Sequence, residues 1–399
     1  MPQTSRRLFA VLLGCAAVLT LAGYLLKAQC IGHYNERRDS HLCSNDIQVL
    51  YALRDMRHHP FPYVNGDLVD HQLVGGALEY PVLTGLFAWV PAVFVGDDGD
   101  YLRLTALLLV PFTFLTARML GRMVRWRALL YALAPPLVWY SFHNWDLLVV
   151  CATVAALYTW WQRRYAWSGA WLAVGASLKF WPLLLVLPLL LDRLAAGDRP
   201  AAGRAGAAFA GVLVAVQLPF LLAGPQGWWA PYAFQKERAA DVTANSIWYW
   251  GFPQLSTDDL NHLVPALLVL GTVVACAVGW WRARGEGVFP FVQVCGALLV
   301  LFVVTGKAHS PQYALWLLPF FCLVRLRWGW WAAYMAFDLC MYVGVFRWYY
   351  ALGQGHDFGL AKQALVIGVW GRAVMLVLLF VVMLRSQPAF EEVPDAVQG

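Results

Sequence analysis

The most concentrated polar motif in the chain is Gly306-Lys307-Ala308-His309-Ser310-Pro311-Gln312-Tyr313, which packs two basic side chains, a hydroxyl and an amide into one break between apolar runs. Lys179, one of only five lysines, precedes Phe180-Trp181-Pro182 inside an otherwise apolar hairpin, where an ammonium group calls for an anion. Snorkelling to the lipid headgroups is its structural alternative. Asp46 follows Ser44 and Asn45 at the head of a segment from Leu42 to His58, in which Ile47, Leu50, Tyr51 and Arg54 recur at helical spacing. An acid there satisfies a helix N-terminus without any chemistry, and it is equally placed to face a pocket. Glu79-Tyr80-Pro81-Val82-Leu83 closes the same loop with a proline that pre-sets a helix start, and His143-Asn144-Trp145-Asp146 separates two apolar runs. Carboxylates, lysines and amides of this kind suit proton transfer beside a bound anion.

The elements that must hold these residues are apolar. Of 399 residues 60% are hydrophobic and 13% charged, against roughly a quarter charged in a soluble domain. Stretches of about 20 apolar residues recur with short polar breaks, so the expected fold is an all-α polytopic membrane protein of about twelve helices. The net charge of +6 comes from scattered arginines, which mark orientation and do not form a nucleic-acid patch. Breaks holding Arg118 to Arg127, Arg163 and Arg164, Arg193 to Arg204, Arg282 and Arg284, and Arg325 and Arg327 are expected in the cytoplasm. This gives helices near 8–27, 102–120, 128–142, 146–162, 167–179, 181–193, 205–223, 262–281, 288–305, 311–325, 329–346 and 363–384, with both termini cytoplasmic. The run from Tyr80 to Val95 is then expected to lie parallel to the membrane or re-enter it. Residues 1–385 form one transmembrane domain, with large extracytoplasmic loops at 28–79 and 224–261, and 386–399 form a disordered cytoplasmic tail.

This topology, drawn from arginines alone, sends the other scarce polar residues to one side. All nine histidines, from His33 through His356, fall on outer loops or outer helix ends, as do Asp46, Glu79, Asn144, Asp146, Lys179, Asn245, Lys307 and Gln312. A protein that spends its few polar groups on one face usually has a site there; longer outer loops are the plainer reason. Cys30 and Cys43 flank a polar stretch in the first outer loop, where a disulfide fits an oxidising compartment. The 224–261 loop adds Trp228, Trp229, Tyr232, Trp248, Tyr249 and Trp250 to Lys236, Arg238 and Asn245, aromatics that suit an interfacial belt or a sugar ring. No zinc-ligand spacing, phosphate loop or nucleophile elbow occurs, and Asp97-Asp98-Gly99-Asp100 is expected only to cap the next helix.

Taken in order, Ser44-Asn45-Asp46-Ile47, Glu79-Tyr80-Pro81-Val82-Leu83, Asn144-Trp145-Asp146, Lys179-Phe180-Trp181-Pro182 and Lys307-Ala308-His309-Ser310-Pro311-Gln312-Tyr313 resemble the membrane glycosyltransferases of family 87, within the GT-C class that uses polyprenyl-phosphate sugars. Relatives often carry Tyr-Pro-Pro where this chain has Tyr80-Pro81-Val82. The resemblance implies a GT-C-like fold whose long first extracytoplasmic loop carries interfacial helices. It further implies a multi-pass plasma-membrane enzyme that moves a sugar, mannose before arabinose, from a polyprenyl-phosphate donor to a glycolipid or glycan of the cell envelope. Asp46 is then the general base and His309 an active-site residue, with Lys179, Lys307, Gln312, Tyr80, Glu79, Asn144, Asp146, Arg54 and Asn245 around donor and acceptor. A sugar phosphodiester already has a good leaving group, so one base suffices where hydrolases need two carboxylates, and no cofactor or metal is required. The competing classes are a secondary transporter of a small solute or lipid-linked precursor and a non-catalytic envelope assembly subunit.

Overall fold

Apolar stretches in lipid have no water to satisfy their amides, so they close their hydrogen bonds internally as helices. The computed structural model describes residues 3–59, 61–355 and 359–390; the expectation for His356 lies outside them. The chain opens with α1 (Gln3–Ala28), two short helices, α2 (Tyr34–Arg37) and α3 (Asp46–Leu53), and a hairpin of β1 (Asp67–Val69) and β2 (Gln72–Val74). Then come α4 (Val82–Ala92), α5 (Asp98–Val124), α6 (Leu129–Ala132), α7 (Pro136–Tyr140), α8 (Asp146–Trp161), α9 (Tyr165–Leu178) and α10 (Val186–Ala195). The remainder is α11 (Arg199–Ala223), α12 (Pro225–Glu237), α13 (Ile247–Gly251), α14 (Thr257–Glu286), α15 (Phe291–Thr305), α16 (Ala314–Leu323), α17 (Trp328–Gln354) and α18 (Gly359–Arg385).

Among the described residues, five helices are long and apolar enough to cross a membrane: Arg6–Ala28, Asp98–Ala132, Arg199–Ala223, Thr257–Glu286 and Gly359–Arg385. Their lipid-facing character shows in α11 and α14, whose exposed surfaces are Val214, Leu218, Leu222, Val269, Leu270 and Val273. The chain is thus a multi-pass helical membrane protein. Apart from α17, most of the remaining expected spans are shorter helices or are broken at proline. The segment expected at 128–142 divides into α6 and α7 at Pro135 and Pro136, because a proline has no N–H to continue the ladder. Likewise 181–193 starts as a 3-10 turn, Trp181–Leu185, and 311–325 as another, Pro311–Tyr313. The 11 residues of α4 rise only about 16 Å, too little to span a core of about 30 Å.

The first loop departs further from expectation. The helix expected from Leu42 to His58 is confined to α3, which ends at Leu53 with Arg54 as its C-cap, and Asp55 follows with φ of 45°. The hairpin has no counterpart among the expected elements: its turn residues Asp70 and His71 have φ of 47° and 65° without any glycine. Asp97 caps α5 by accepting from Asp100 N at 2.8 Å, as expected of that acidic run. At the other terminus, Ser386 to Phe390 is a paired segment and not the start of a disordered tail: Ala389 N donates to Leu323 O at 2.8 Å and Arg325 N to Gln387 O at 2.8 Å. Residues 391–399 lie outside the described part.

Helix α8 is the axis of the assembly, buried all round from Asp146 to Leu157. Its two ends differ. The arginine-bearing breaks meet at the far end, where Arg127 donates to the carbonyls of Phe321, Cys322, Val324 and Leu326, Trp160 Nε1 donates to Asp192 Oδ2 at 2.7 Å, and Arg282 donates to Leu384 O and Ser386 O. At its near end, Asn144 and Asp146 meet the first loop.

Candidate active site

Asp46 is the first residue of α3, and its backbone is fixed from several directions. Asn45 caps the helix by accepting from Gln48 N at 2.9 Å, while Tyr34 Oη donates to Asn45 O at 2.7 Å and accepts from Asn45 N at 2.8 Å. Cys30 and Cys43 form the expected disulfide, with Cα atoms 6.4 Å apart, tying the end of α1 to this segment. Asp46 N donates to His143 O at 2.7 Å, so the 141–145 turn is stitched directly to the acid. Lys27 Nζ donates to Ser44 O at 2.9 Å and His143 Nδ1 lies 3.0 Å from the same carbonyl, which assigns the proton to Nδ1.

The side chains then converge. Asn144 Nδ2 donates to Asp46 Oδ2 at 2.7 Å and to Tyr80 Oη at 2.6 Å. Its Oδ1 accepts from Trp145 N at 2.6 Å and from Lys179 Nζ at 3.4 Å. Lys179 leaves α9 in an extended conformation; its ammonium sits 3.3 Å from Asp146 Oδ1 and 3.8 Å from the centroid of the Tyr80 ring. Asp146 Oδ1 also accepts from Trp316 Nε1 at 2.9 Å. Beside this group, Arg54 Nη2 donates to Glu79 Oε1 at 2.9 Å, and Gln235 Nε2 to Glu79 O at 3.2 Å.

These groups border a cavity of about 620 Å³. Asp46, Glu79, Tyr80, Lys179, Asn245 and Gln312 line it. Asn144 and Asp146 stand directly behind the lining, and Arg54 is reached through Glu79. The amide oxygens of Asn245 and Gln312 are buried without a hydrogen-bond partner among the described residues, and Asn245 holds φ of 48°, a left-handed conformation uncommon outside glycine. A second cavity, of about 640 Å³, lies at the far ends of the same helices, away from this cluster. Its Arg193 and Arg282 already pair with Asp192 and Glu286, each at 2.8 Å.

Burial pushes the Asp46 carboxyl above the usual carboxylate range, opposed first by the Asn144 hydrogen bond and then by the charges of Lys179, Arg238 and Lys27. Burial also holds the Tyr80 phenol protonated and pushes His143 down to about 3, with Lys27 adding to the effect. His143 is therefore neutral at any physiological pH.

Two expected site residues stand elsewhere. Lys307 does not line the cavity: its Nζ donates to Lys236 O at 2.9 Å and Asn261 Oδ1 at 2.7 Å, binding the 224–261 loop to the break after α15. His309 is buried under Tyr313, the rings 6.2 Å apart and nearly parallel, and its backbone N–H donates to Ala244 O at 2.6 Å. Burial, with Arg372 nearby, lowers its pKa well below the usual value, so it is neutral and cannot supply a cation to a phosphate. Conversely Arg38 and Tyr349 line the cavity without carrying a motif that marks them in the sequence, and His143 and Arg238, present in polar stretches of the sequence but not among the expected site residues, line it too. Lys27, buried at the end of α1, had a usable signal, being a lysine in a chain with five.

The family model for glycosyltransferase family 87 matches residues 79–305, which include Glu79, Tyr80, Asn144, Asp146, Lys179 and Asn245 but not Asp46, Lys307 or His309. Among solved structures the chain is similar to the crystal structure of ArnT from Cupriavidus metallidurans bound to undecaprenyl phosphate. The two are 16% identical with a TM-score of 0.41, over 84% of this chain and 74% of that one. No curated protein matches the chain.

Proposed function

The chain belongs to glycosyltransferase family 87, and on that premise we propose that it transfers a sugar, mannose by preference, from a polyprenyl-phosphate donor to a hydroxyl of an envelope glycolipid or glycan. The reaction takes place in the Asp46 cavity, on the extracytoplasmic face of the plasma membrane. The acceptor oxygen attacks the anomeric carbon, the bond from that carbon to the phosphate oxygen breaks, and its electron pair leaves with the polyprenyl phosphate. Asp46 takes the acceptor's proton. Such positioned proton transfer contributes about 100- to 10,000-fold.

The observation that carries this reading is the pairing of the carboxylates. Three acids line the cavity, and two have a cation: Asp39 lies 3.5 Å from Arg38, and Glu79 2.9 Å from Arg54. Asp46 has no ion-pair partner among the described residues and accepts only from the neutral amide of Asn144. A carboxylate raised in pKa by burial and left without a neutralising cation keeps its basicity for a substrate proton. Asn144 uses its other amide hydrogen on Tyr80, so its bond to Asp46 fixes one carboxylate oxygen and leaves the other for the acceptor. Chemistry of this kind calls for no metal or cofactor.

The test is transfer by the purified protein in lipid nanodiscs, with labelled polyprenyl-phosphate mannose or arabinose as donor and an envelope lipid extract as acceptor. Label moving from the mannose donor into glycolipid is the expected result. Transfer from the arabinose donor alone would correct the sugar, and transfer from neither would remove the polyprenyl-phosphate reading.

A further inference from the structure

Three cations line the cavity, and two of them face carboxylates: Arg38 is 3.5 Å from Asp39, and Lys179 is 3.3 Å from Asp146 while also bonded to Asn144. The guanidinium of Arg238 has neither a hydrogen bond nor an ion pair with any described residue. It is half-buried, and its position is fixed by what precedes it. Arg238 caps the C-terminus of α12, its N–H donating to Phe234 O at 2.8 Å. Each of the three residues before it is tethered to a different part of the chain. Gln235 donates to Glu79 O at 3.2 Å, the carbonyl of Lys236 accepts from Lys307 at 2.9 Å, and the Glu237 carboxylate lies 2.7 Å from His71 Nδ1.

An isolated cation in a part-buried cavity is costly unless an anion completes it. The tethering means that little reorganisation is needed when the anion arrives, which is where fixed charges are most effective. Arginine is also the side chain whose planar fork matches two phosphate oxygens at once. We infer that Arg238 is the residue that binds the phosphate of the lipid-linked donor, and that Lys307 acts as its positioning residue through the carbonyl of Lys236. The inference rests on the polyprenyl-phosphate reading of the cavity. The cations then have separate roles, with Lys179 holding Asp146 and Asn144 beside the base while Arg238 takes the leaving group.

The experiment is binding of undecaprenyl phosphate and of the uncharged alcohol undecaprenol to the full-length protein in nanodiscs, so that the alcohol reports on the fold and the lipid groove alone. Wild type should prefer the phosphate. Arg238→Gln should weaken phosphate binding about 10- to 100-fold, the range of a hydrogen bond to a charged group, and leave alcohol binding unchanged. Arg238→Lys should fall between, and Lys307→Met should lose less than Arg238→Gln. Phosphate binding of Arg238→Gln equal to wild type, or an equal loss for phosphate and alcohol, would overturn the assignment. A wild type indifferent to the phosphate would instead overturn the donor reading, and this inference with it.

Discussion

Asp46 is held by its neighbours in a way that favours basicity over stability. A salt bridge would lower its pKa further and remove its usefulness; the Asn144 hydrogen bond orients it and opposes the effect of burial, yet the carboxyl stays above the usual range. The charges that do oppose the effect of burial come from Lys179, Arg238 and Lys27. Because the base must be ionised, activity should fall as pH falls through its raised pKa. Lys179→Met removes a cation that favours the ionised form, so the acid limb of kcat/KM against pH should move to higher pH, whatever the loss in absolute rate. A limb that stays in place or moves to lower pH would contradict the placement of Asp46 as the titrating base. At this scale the sequence is informative where polar types are scarce: Asp46, Tyr80, Asn144, Asp146 and Lys179 stand out as polar in an apolar chain, and they lie within contact of one another. Lys307 and His309 stand out on the same ground, and neither lines the cavity. Local density of polar residues says nothing about direction, and a backbone carbonyl satisfies a lysine as well as a phosphate does. Arg238 is inconspicuous because a loop arginine has no signature until its neighbours are known.

Among the elements, α17 and α18 position the Pro311 to Tyr313 wall of the cavity from behind. Arg372 on α18 pairs with Asp338 on α17 at 3.1 Å and donates to Pro311 O at 3.2 Å, next to the lining residue Gln312. The helices approach closely enough for this because Gly344 and Gly368 face the partner backbone; a Cβ on either would collide with Leu365 or Met341. Close approach through small residues is the usual means of packing helices in lipid, where no hydrophobic force drives them together. Gly368→Leu should therefore cost about 1–3 kcal/mol of stability, the range for overpacking a tight interface, and lower transfer activity through the displaced Pro311 carbonyl. Thermal unfolding in detergent checks the first effect; an unchanged midpoint would show that the interface has room. The long apolar helices are legible because a run of about 20 apolar residues matches the thickness of a bilayer and little else. The hairpin at 67–74 is not, since its turn is formed by Asp70 and His71 instead of the glycine or asparagine that marks such turns. The short helices α12 and α13 are hidden in a loop whose aromatic residues have no clear period.

For the whole molecule, α8 separates two ends of opposite character. The arginine-bearing breaks gather at one end, where Arg127 and Arg282 donate to main-chain carbonyls, and Asp46, Glu79, Asn144 and Asp146 gather with Lys179 at the other. That division is legible because charge placement and hydropathy constrain every helix at once. The contacts within the polar end are not, because they depend on how α3, the 141–145 turn and α12 fold over one another. Membership of family 87 supplies glycosyl transfer; the central claim is that Asp46 performs its proton transfer. The most direct measurement is steady-state transfer by purified Asp46→Asn, an isosteric change, with its fold verified by undecaprenol binding. The account predicts a fall in kcat of about 100- to 10,000-fold with the donor KM little changed, because the base acts on the acceptor in the transition state and not on the bound donor. Transfer by Asp46→Asn at the wild-type rate would show that the base lies elsewhere in the cavity.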